Sequence, residues 1–567
     1  MLAPMRAPRP YVSEAVDPTE VSPSGRWRAV KQAGLIVLAV AWIALGLVGH
    51  DPWKVEDATM FGLAFDVAQS GDAAVPKLAG EPFVARPPLL PALGALAIRA
   101  LTPALEPFDA ARVVAGVVLG AILLFTALAS RELSGRSYRW MPVLILIGSI
   151  GLWDRAHALS PELGQTAGTA IAMYGFALAL RRPIAGGVAL GVGAALAFGS
   201  GGLAGFAWLV VAGAILPLTG PPWRTRAYGV TAALGLLVGV ALALPWPLVL
   251  ALRGNGLLDA WLDAESWRHH IALPGMAGAA TTYHLRNLLW FAFPALPMIG
   301  WMLWTRGRGF NGGLRAEGVR LPGILALVIL ASLVLQPDPR AIYALPLLPP
   351  LALLAALEVD SLARGFSAAL DWFGILTFGL LAIVVWGIWI DARMHGMSSQ
   401  VASLFRDTEI GYQPSFHLGA VLAAALLTVL WVMLVRPARR SNRRTLLNWA
   451  AGVTLVWCLY STIWLPYLDS RRSYRHVVES SAAHLPERGC VASRNLGDSQ
   501  RVAWQYFAGL VTVREERNPD HGCRDLLVQY GRQDGPPIAL PGWFVTWDGR
   551  RRGDDTERYV LYRREPA

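Results

Sequence analysis

The chain has little charge and almost no cysteine. Of its 567 residues only 16% are Asp, Glu, Lys or Arg, against 54% hydrophobic, and mean hydropathy is +0.43. A water-soluble protein of this size needs a mixed, charged surface, so the shortage excludes an ordinary soluble multidomain protein. Three cysteines occur and none is in a Cys-x-x-Cys spacing, which removes support for zinc or thioredoxin chemistry. Cys458 lies inside an apolar run. Cys490 and Cys523 lie in the hydrophilic C-terminal part and pair if that part faces an oxidising compartment; two reduced, buried cysteines are the alternative.

In place of charge the chain has apolar runs. Runs of about 17 residues or more are long enough to cross a bilayer as helices, and their repetition predicts a polytopic α-helical membrane protein. Residues 1–31, proline-rich and without periodicity, read as a disordered cytosolic leader that ends in RWRAVK. The run 32–49 is the first span. Spans then follow at about 111–130, 140–153, 163–180, 184–200, 203–219, 228–250, 286–304, 321–336, 342–359, 370–390, 416–435 and 447–467, thirteen in all. An odd number starting inside leaves the C-terminal part outside the cytoplasm. The connectors placed inside are the basic ones, RPARRSNRR at 436–444 above all, while the outer loops carry carboxylates. The formal charge of +11 is therefore read as orientation signal and contact with anionic headgroups, not as nucleic-acid binding.

After Asp469 the pattern changes to two helical segments, 473–485 and 498–509, and five strand-like ones, GCVAS, LVTVRE, DLLVQY, GWFVTW and RYVLYRR. The expected organisation is a transmembrane domain at 32–469 with an outer loop at 51–110, then a small α/β domain at 470–567.

The polar groups gather in the predicted outer segments. Glu56 and Asp57 follow Trp53 and Lys54 at the mouth of the first span; adjacent residues of a helix project about 100° apart, so one of the pair faces a cavity while the other caps or pairs. Helix-start capping is the plainer reading. Phe61, Leu63, Ala64 and Val67 then form an apolar stripe for a helix lying at the membrane boundary or capping the bundle. Arg86 precedes the diproline Pro87-Pro88, which holds a loop at one height and leaves the guanidinium to meet phosphate; a simple turn is the alternative. Glu162, after Ser160-Pro161, suits a first helical turn and equally a cavity. Arg268, Arg286 and Arg340 stand at the outer boundary, where a lipid phosphate lies, with Tyr283 and Tyr343 as hydroxyl donors. Interfacial snorkelling accounts for each of these alone. Arg471, Arg472 and Arg475 on the outer side run against the positive-inside tendency and point to an anion, which anionic headgroups would also supply.

These residues in this order resemble the GT-C fold glycosyltransferases that use polyprenyl-phosphate sugars, in the group that includes the lipid A aminoarabinose transferases and the protein O-mannosyltransferases. The resemblance rests on WKVEDATMFG at 53–62, SGDAAVPKLAGEPFVARPPL at 70–89, SPEL at 160–163, PDPRAIYALP at 337–346, and thirteen spans followed by a small periplasmic domain. It covers about 33–470 well and the tail in outline. The family's first loop carries Asp-Glu, inverted here to Glu56-Asp57, and its Phe-x-Lys-Pro-Pro lysine stands here as Arg86. A lysine-glycine pair near the end of the family's fifth span appears as Ser200-Gly201.

The resemblance implies transfer of a sugar from an undecaprenyl-type phosphate donor to a lipid or glycan acceptor, lipid A among them, at the periplasmic face of a bacterial inner membrane, by a monomer. Glu56, Asp57 and Glu162 would be the catalytic carboxylates; Lys54, Arg86, Arg268, Arg286, Arg340, Tyr283 and Tyr343 would hold the donor. A divalent cation between carboxylate and phosphate is compatible with this chemistry and not required by it. No Gly-rich cradle or Asp-x-Asp motif on the cytosolic side supports a nucleotide-sugar donor. The rival reading is a lipid-linked sugar transporter or flippase with an accessory domain, which would place ionisable residues mid-span and show internal repeats.

Overall fold

The computed structural model describes residues 25–153, 155–266, 277–395, 416–436, 441–532, 540–551 and 556–565. The leader before residue 25, Asp154 and Arg268 lie outside the described residues.

Helix Gly25–Ala44 leads through a loop to helix Glu56–Ser70, which Gly71 ends in the left-handed region (φ 78°) with its N–H on the Val67 carbonyl. That stop works because glycine has no Cβ to clash there. The stripe Phe61, Leu63, Ala64 and Val67 is buried in protein, so this helix caps the bundle. On one side it meets helix Leu89–Leu101, where a Cβ on Gly94 would come within 2.8 Å of the Ala64 Cβ. Between the two helices, Lys77–Leu78 (β1) and Glu81–Pro82 (β2) form a short antiparallel hairpin.

The bundle is built on small-residue contacts. A Cβ on Gly168 would lie 2.6 Å from both the Ala197 amide nitrogen and the Gly193 carbonyl oxygen, so helices Pro161–Ala179 and Pro183–Gly201 approach backbone to backbone. Such contacts drive helix association where no water is left to exclude.

The expectation of thirteen spans is overturned. Among the described residues six helices are long and apolar enough to cross a membrane, or up to eight if each of two bent pairs is one span. The excess came from reading apolar composition as continuous helix. The stretch predicted as 140–153 is the seven-residue helix Met141–Ile147 plus a 3-10 turn. The stretch predicted as 342–359 is split between a 3-10 segment, Ala341–Leu347, and helix Leu348–Ala356. Leu203–Thr219, at 17 residues, and the apolar part of the first helix, Ala29–Ala44, are shorter than any of the six. The count of spans therefore no longer carries the sidedness of the tail.

Residues 491–564 contribute a five-stranded sheet of Val491–Arg494 (β3), Val513–Arg514 (β4), Asp525–Gly531 (β5), Trp543–Arg550 (β6) and Glu557–Arg564 (β7). The spatial order is β4-β3-β5-β7-β6, parallel across β4-β3-β5 and antiparallel across β5-β7-β6. Helices Arg475–Ala482 and Asp498–Ala508 pack on it, and a disulfide joins Cys490 to Cys523. The sheet domain docks on the loop helix. Tyr506 stands edge-on to Phe61 and Phe65, with ring centroids 4.9 and 5.2 Å away, and Arg501 pairs with Glu81 at 3.0 Å.

Candidate active site

The loop between the first two helices is held from three directions. Gly49 donates its N–H to Asp109, at 3.0 Å to Oδ2, and Asp469 Oδ1 accepts from the Asp51 N–H at 2.9 Å and from the Trp53 indole at 2.8 Å. Asp51 in turn pairs with Arg475 (Nη2 to Oδ1, 2.6 Å) and accepts from the Ser473 hydroxyl at 2.6 Å. Arg475, which the sequence offered as an anion contact, is thus engaged in fixing this loop.

At the centre is Arg112, 1% exposed. Its Nη1 donates to the carbonyls of Leu47 and His50 and to Asp109 Oδ1, and its Nη2 to the Asp51 carbonyl and to Asp57 Oδ2 at 3.0 Å. Asp57 also accepts from the Leu159 N–H at 3.2 Å. Burial pushes the Asp57 carboxyl up, but the Arg112 guanidinium outweighs it and leaves the group below its ordinary value. Charge-assisted, bidentate contacts of this kind organise a buried loop because breaking one leaves a charge unpaired.

Glu56 is placed differently. Its side chain is 27% exposed, with Oε1 3.8 Å from Arg340 Nη1, and Arg340 also pairs with Asp338 at 2.9 Å. Glu56 and Asp57 both line a cavity of about 560 Å³, whose other charged walls are Lys54, Arg155, Arg340, Arg472 and Arg551. Five cations against two carboxylates suit a bound anion. Lys54 is also paired to Glu557 of β7.

A second cavity, about 260 Å³, is lined by Arg86, Glu162, Gln165, Gly201, Tyr343 and Asp338, the partner of Arg340, among others. Arg86 Nη1 is 3.3 Å from Glu162 Oε1; the other oxygen, Glu162 Oε2, is buried with no hydrogen-bond partner among the described residues. Glu162 sits in the first turn of its helix, and burial raises its carboxyl despite the pull of Arg86.

Lys54, Glu56, Asp57 and Arg340 thus meet at the larger cavity, and Arg86, Glu162 and Tyr343 at the smaller. Tyr283 and Arg286 lie on exposed positions of helix Ala277–Phe291 and line neither. Sequence reasoning missed Arg112, Asp109, Asp51 and Asp469. The available signal was the pair Asp109 and Arg112, one turn apart at the head of an apolar helix, where two charges are costly unless they serve each other. Among the described residues no three His, Cys, Asp or Glu side chains are grouped as a metal site needs.

No protein-family model matches the chain, and no curated protein does. Its structure is similar to the crystal structures of ArnT from Cupriavidus metallidurans, in the apo state and bound to undecaprenyl phosphate, each with TM-score 0.65 and 15% identity over 95% of this chain and 98% of that one. It is also similar to the oligosaccharyltransferase AglB from Archaeoglobus fulgidus in complex with an inhibitory peptide and a dolichol-phosphate, with TM-score 0.50 and 11% identity over 89% of this chain and 70% of that one. At such identities the likeness establishes a shared fold, the GT-C fold, and no particular family within it.

Proposed function

We propose that this protein is a membrane glycosyltransferase that moves a sugar from a polyprenyl-phosphate donor to an envelope acceptor, lipid A or another glycan or lipid, on the periplasmic face of a bacterial inner membrane. The observation that carries the reading is Glu56 beside Arg340, a partly exposed carboxylate on the wall of a cavity rich in cations, in a chain that shares the fold of ArnT over nearly its whole length. One of the two ArnT structures is bound to undecaprenyl phosphate, and the cations here suit the same class of ligand.

The chemistry needs little more. A sugar joined through phosphate to a polyprenol already has a stabilised leaving group. An acceptor oxygen attacks the anomeric carbon and gives its proton to Glu56, the bond from that carbon to the phosphate oxygen breaks, and the electron pair leaves with the lipid phosphate. Direct attack inverts the anomeric centre. Lys54, Arg340, Arg86 and the Tyr343 hydroxyl are the donor-phosphate ligands on this reading; Glu162, with one oxygen unpartnered among the described residues, assists in orienting the sugar or acceptor. Asp57 holds the loop through Arg112.

The test is incubation of the purified protein with a panel of polyprenyl-phosphate sugars and envelope acceptors, with mass spectrometry of the products. Sugar-bearing acceptor together with free polyprenyl phosphate is expected. Movement of the labelled lipid across a vesicle membrane without product would favour a flippase.

A further inference from the structure

The role of the C-terminal domain was not legible in the sequence, yet one of its carboxylates reaches the larger cavity's wall. Glu557 opens β7 with its side chain 4% exposed, and its Oε1 meets the Lys54 ammonium. Its Oε2 accepts from the hydroxyls of Tyr474, at 3.1 Å, and Tyr559, at 2.8 Å. Arg551, which lines the same cavity, has its Nε 4.0 Å from Oε2. Lys54 itself is 38% exposed and lines the cavity.

Two features set this pair apart from a surface contact that only docks domains. A docking ion pair between exposed groups needs no preparation and contributes little. Here the carboxylate is buried and held by two phenols, one on β7 and one at the start of helix Arg475–Ala482, so its position is set by contacts other than Lys54. Lysine carries its charge on a flexible four-carbon stem, and an anchor of that kind fixes where the ammonium points.

We propose that Glu557 is a positioning residue, which holds the Lys54 ammonium at the wall of the larger cavity so that the C-terminal domain completes an anion-binding site for a lipid-linked phosphate. The proposal rests on the donor reading given above. It makes the sheet domain a working part of the site.

The full chain, purified in detergent, is titrated with undecaprenyl phosphate, and thermal unfolding is followed in parallel. Glu557→Gln keeps the shape and an acceptor for the tyrosines while losing the charge. It is expected to weaken binding about tenfold with an unfolding temperature close to that of the wild type. The charge swap, Lys54→Glu with Glu557→Lys, rebuilds the ion pair but turns an anion to the cavity. It is expected to unfold at a higher temperature than either single reversal and still to bind poorly. Wild-type or tighter affinity in Glu557→Gln, or affinity restored together with stability in the swap, overturns the proposal and leaves the donor reading standing. A wild-type protein that does not bind undecaprenyl phosphate overturns both.

Discussion

Arg112 grips both oxygens of Asp57, at 3.0 Å through Nη2 and 3.4 Å through Nε, and so takes one member of an adjacent carboxylate pair into the interior. Glu56, one residue earlier, turns toward Arg340. The two side chains leave the first turn of one helix about 100° apart, so of the two carboxylates on the cavity wall Asp57 is buried on Arg112 and Glu56 is the more exposed.

On the proposed reading Glu56 is the base. Glu56→Gln should lower sugar transfer at least ~100-fold, the scale of a lost general base, with an unchanged unfolding temperature. Asp57→Asn should instead lower the unfolding temperature. Transfer rates and thermal unfolding of the two purified variants, side by side, check the division; full transfer by Glu56→Gln would remove the assignment.

Arg112 contacts five residues through its guanidinium, two of them carboxylates. Arg112→Met leaves Asp57 and Asp109 buried without their cation, at a cost of about 3–5 kcal/mol. Arg112→Lys should recover little of this, since a single ammonium cannot span the fork of acceptors. Unfolding temperature and folded yield in detergent measure both.

The same pair makes stability depend on pH. The Asp57 carboxyl lies below its ordinary value in the fold, because Arg112 outweighs the upward push of burial. Its contribution is complete above the unfolded pKa of about 3.9 and is lost as pH falls through the lower, folded one. The unfolding temperature of the wild type should therefore fall more steeply than that of Asp57→Asn between about pH 5 and pH 2. Parallel curves would show that the pair does not stabilise the fold.

Gly62 marks where the C-terminal domain touches the loop helix. A Cβ there would lie 2.3 Å from Val502 Cγ2 on helix Asp498–Ala508. Gly62→Leu should force the two apart, at a cost of about 1–3 kcal/mol or more, and open the C-terminal domain to proteolysis before the membrane bundle. Cleavage products from limited trypsin digestion show the order.

Several features of the site were legible because they are local. Glu56 and Asp57 at a helix start, Arg86 before a diproline, Glu162 in a first turn and Arg340 beside Asp338 each stand out in a few residues of sequence, and the fold brings them to two neighbouring cavities. Arg112 did not stand out, since one arginine inside an apolar run is hidden from any average over that run. The number of spans was misjudged for a related reason: mean hydropathy reports composition, and does not register the 3-10 segment that splits 341–356.

Composition alone determined that the chain belongs in a membrane, because so many apolar runs cannot be buried in a soluble protein of this size. Local pattern determined that an α/β unit closes the chain. Only the tertiary structure decided that Asp57 is taken up by a buried arginine while Glu56 stays partly exposed beside Arg340, because the first contact depends on an arginine 55 residues away from Asp57. It also decided that Lys54 answers to Glu557, 503 residues further on, a contact no local pattern records.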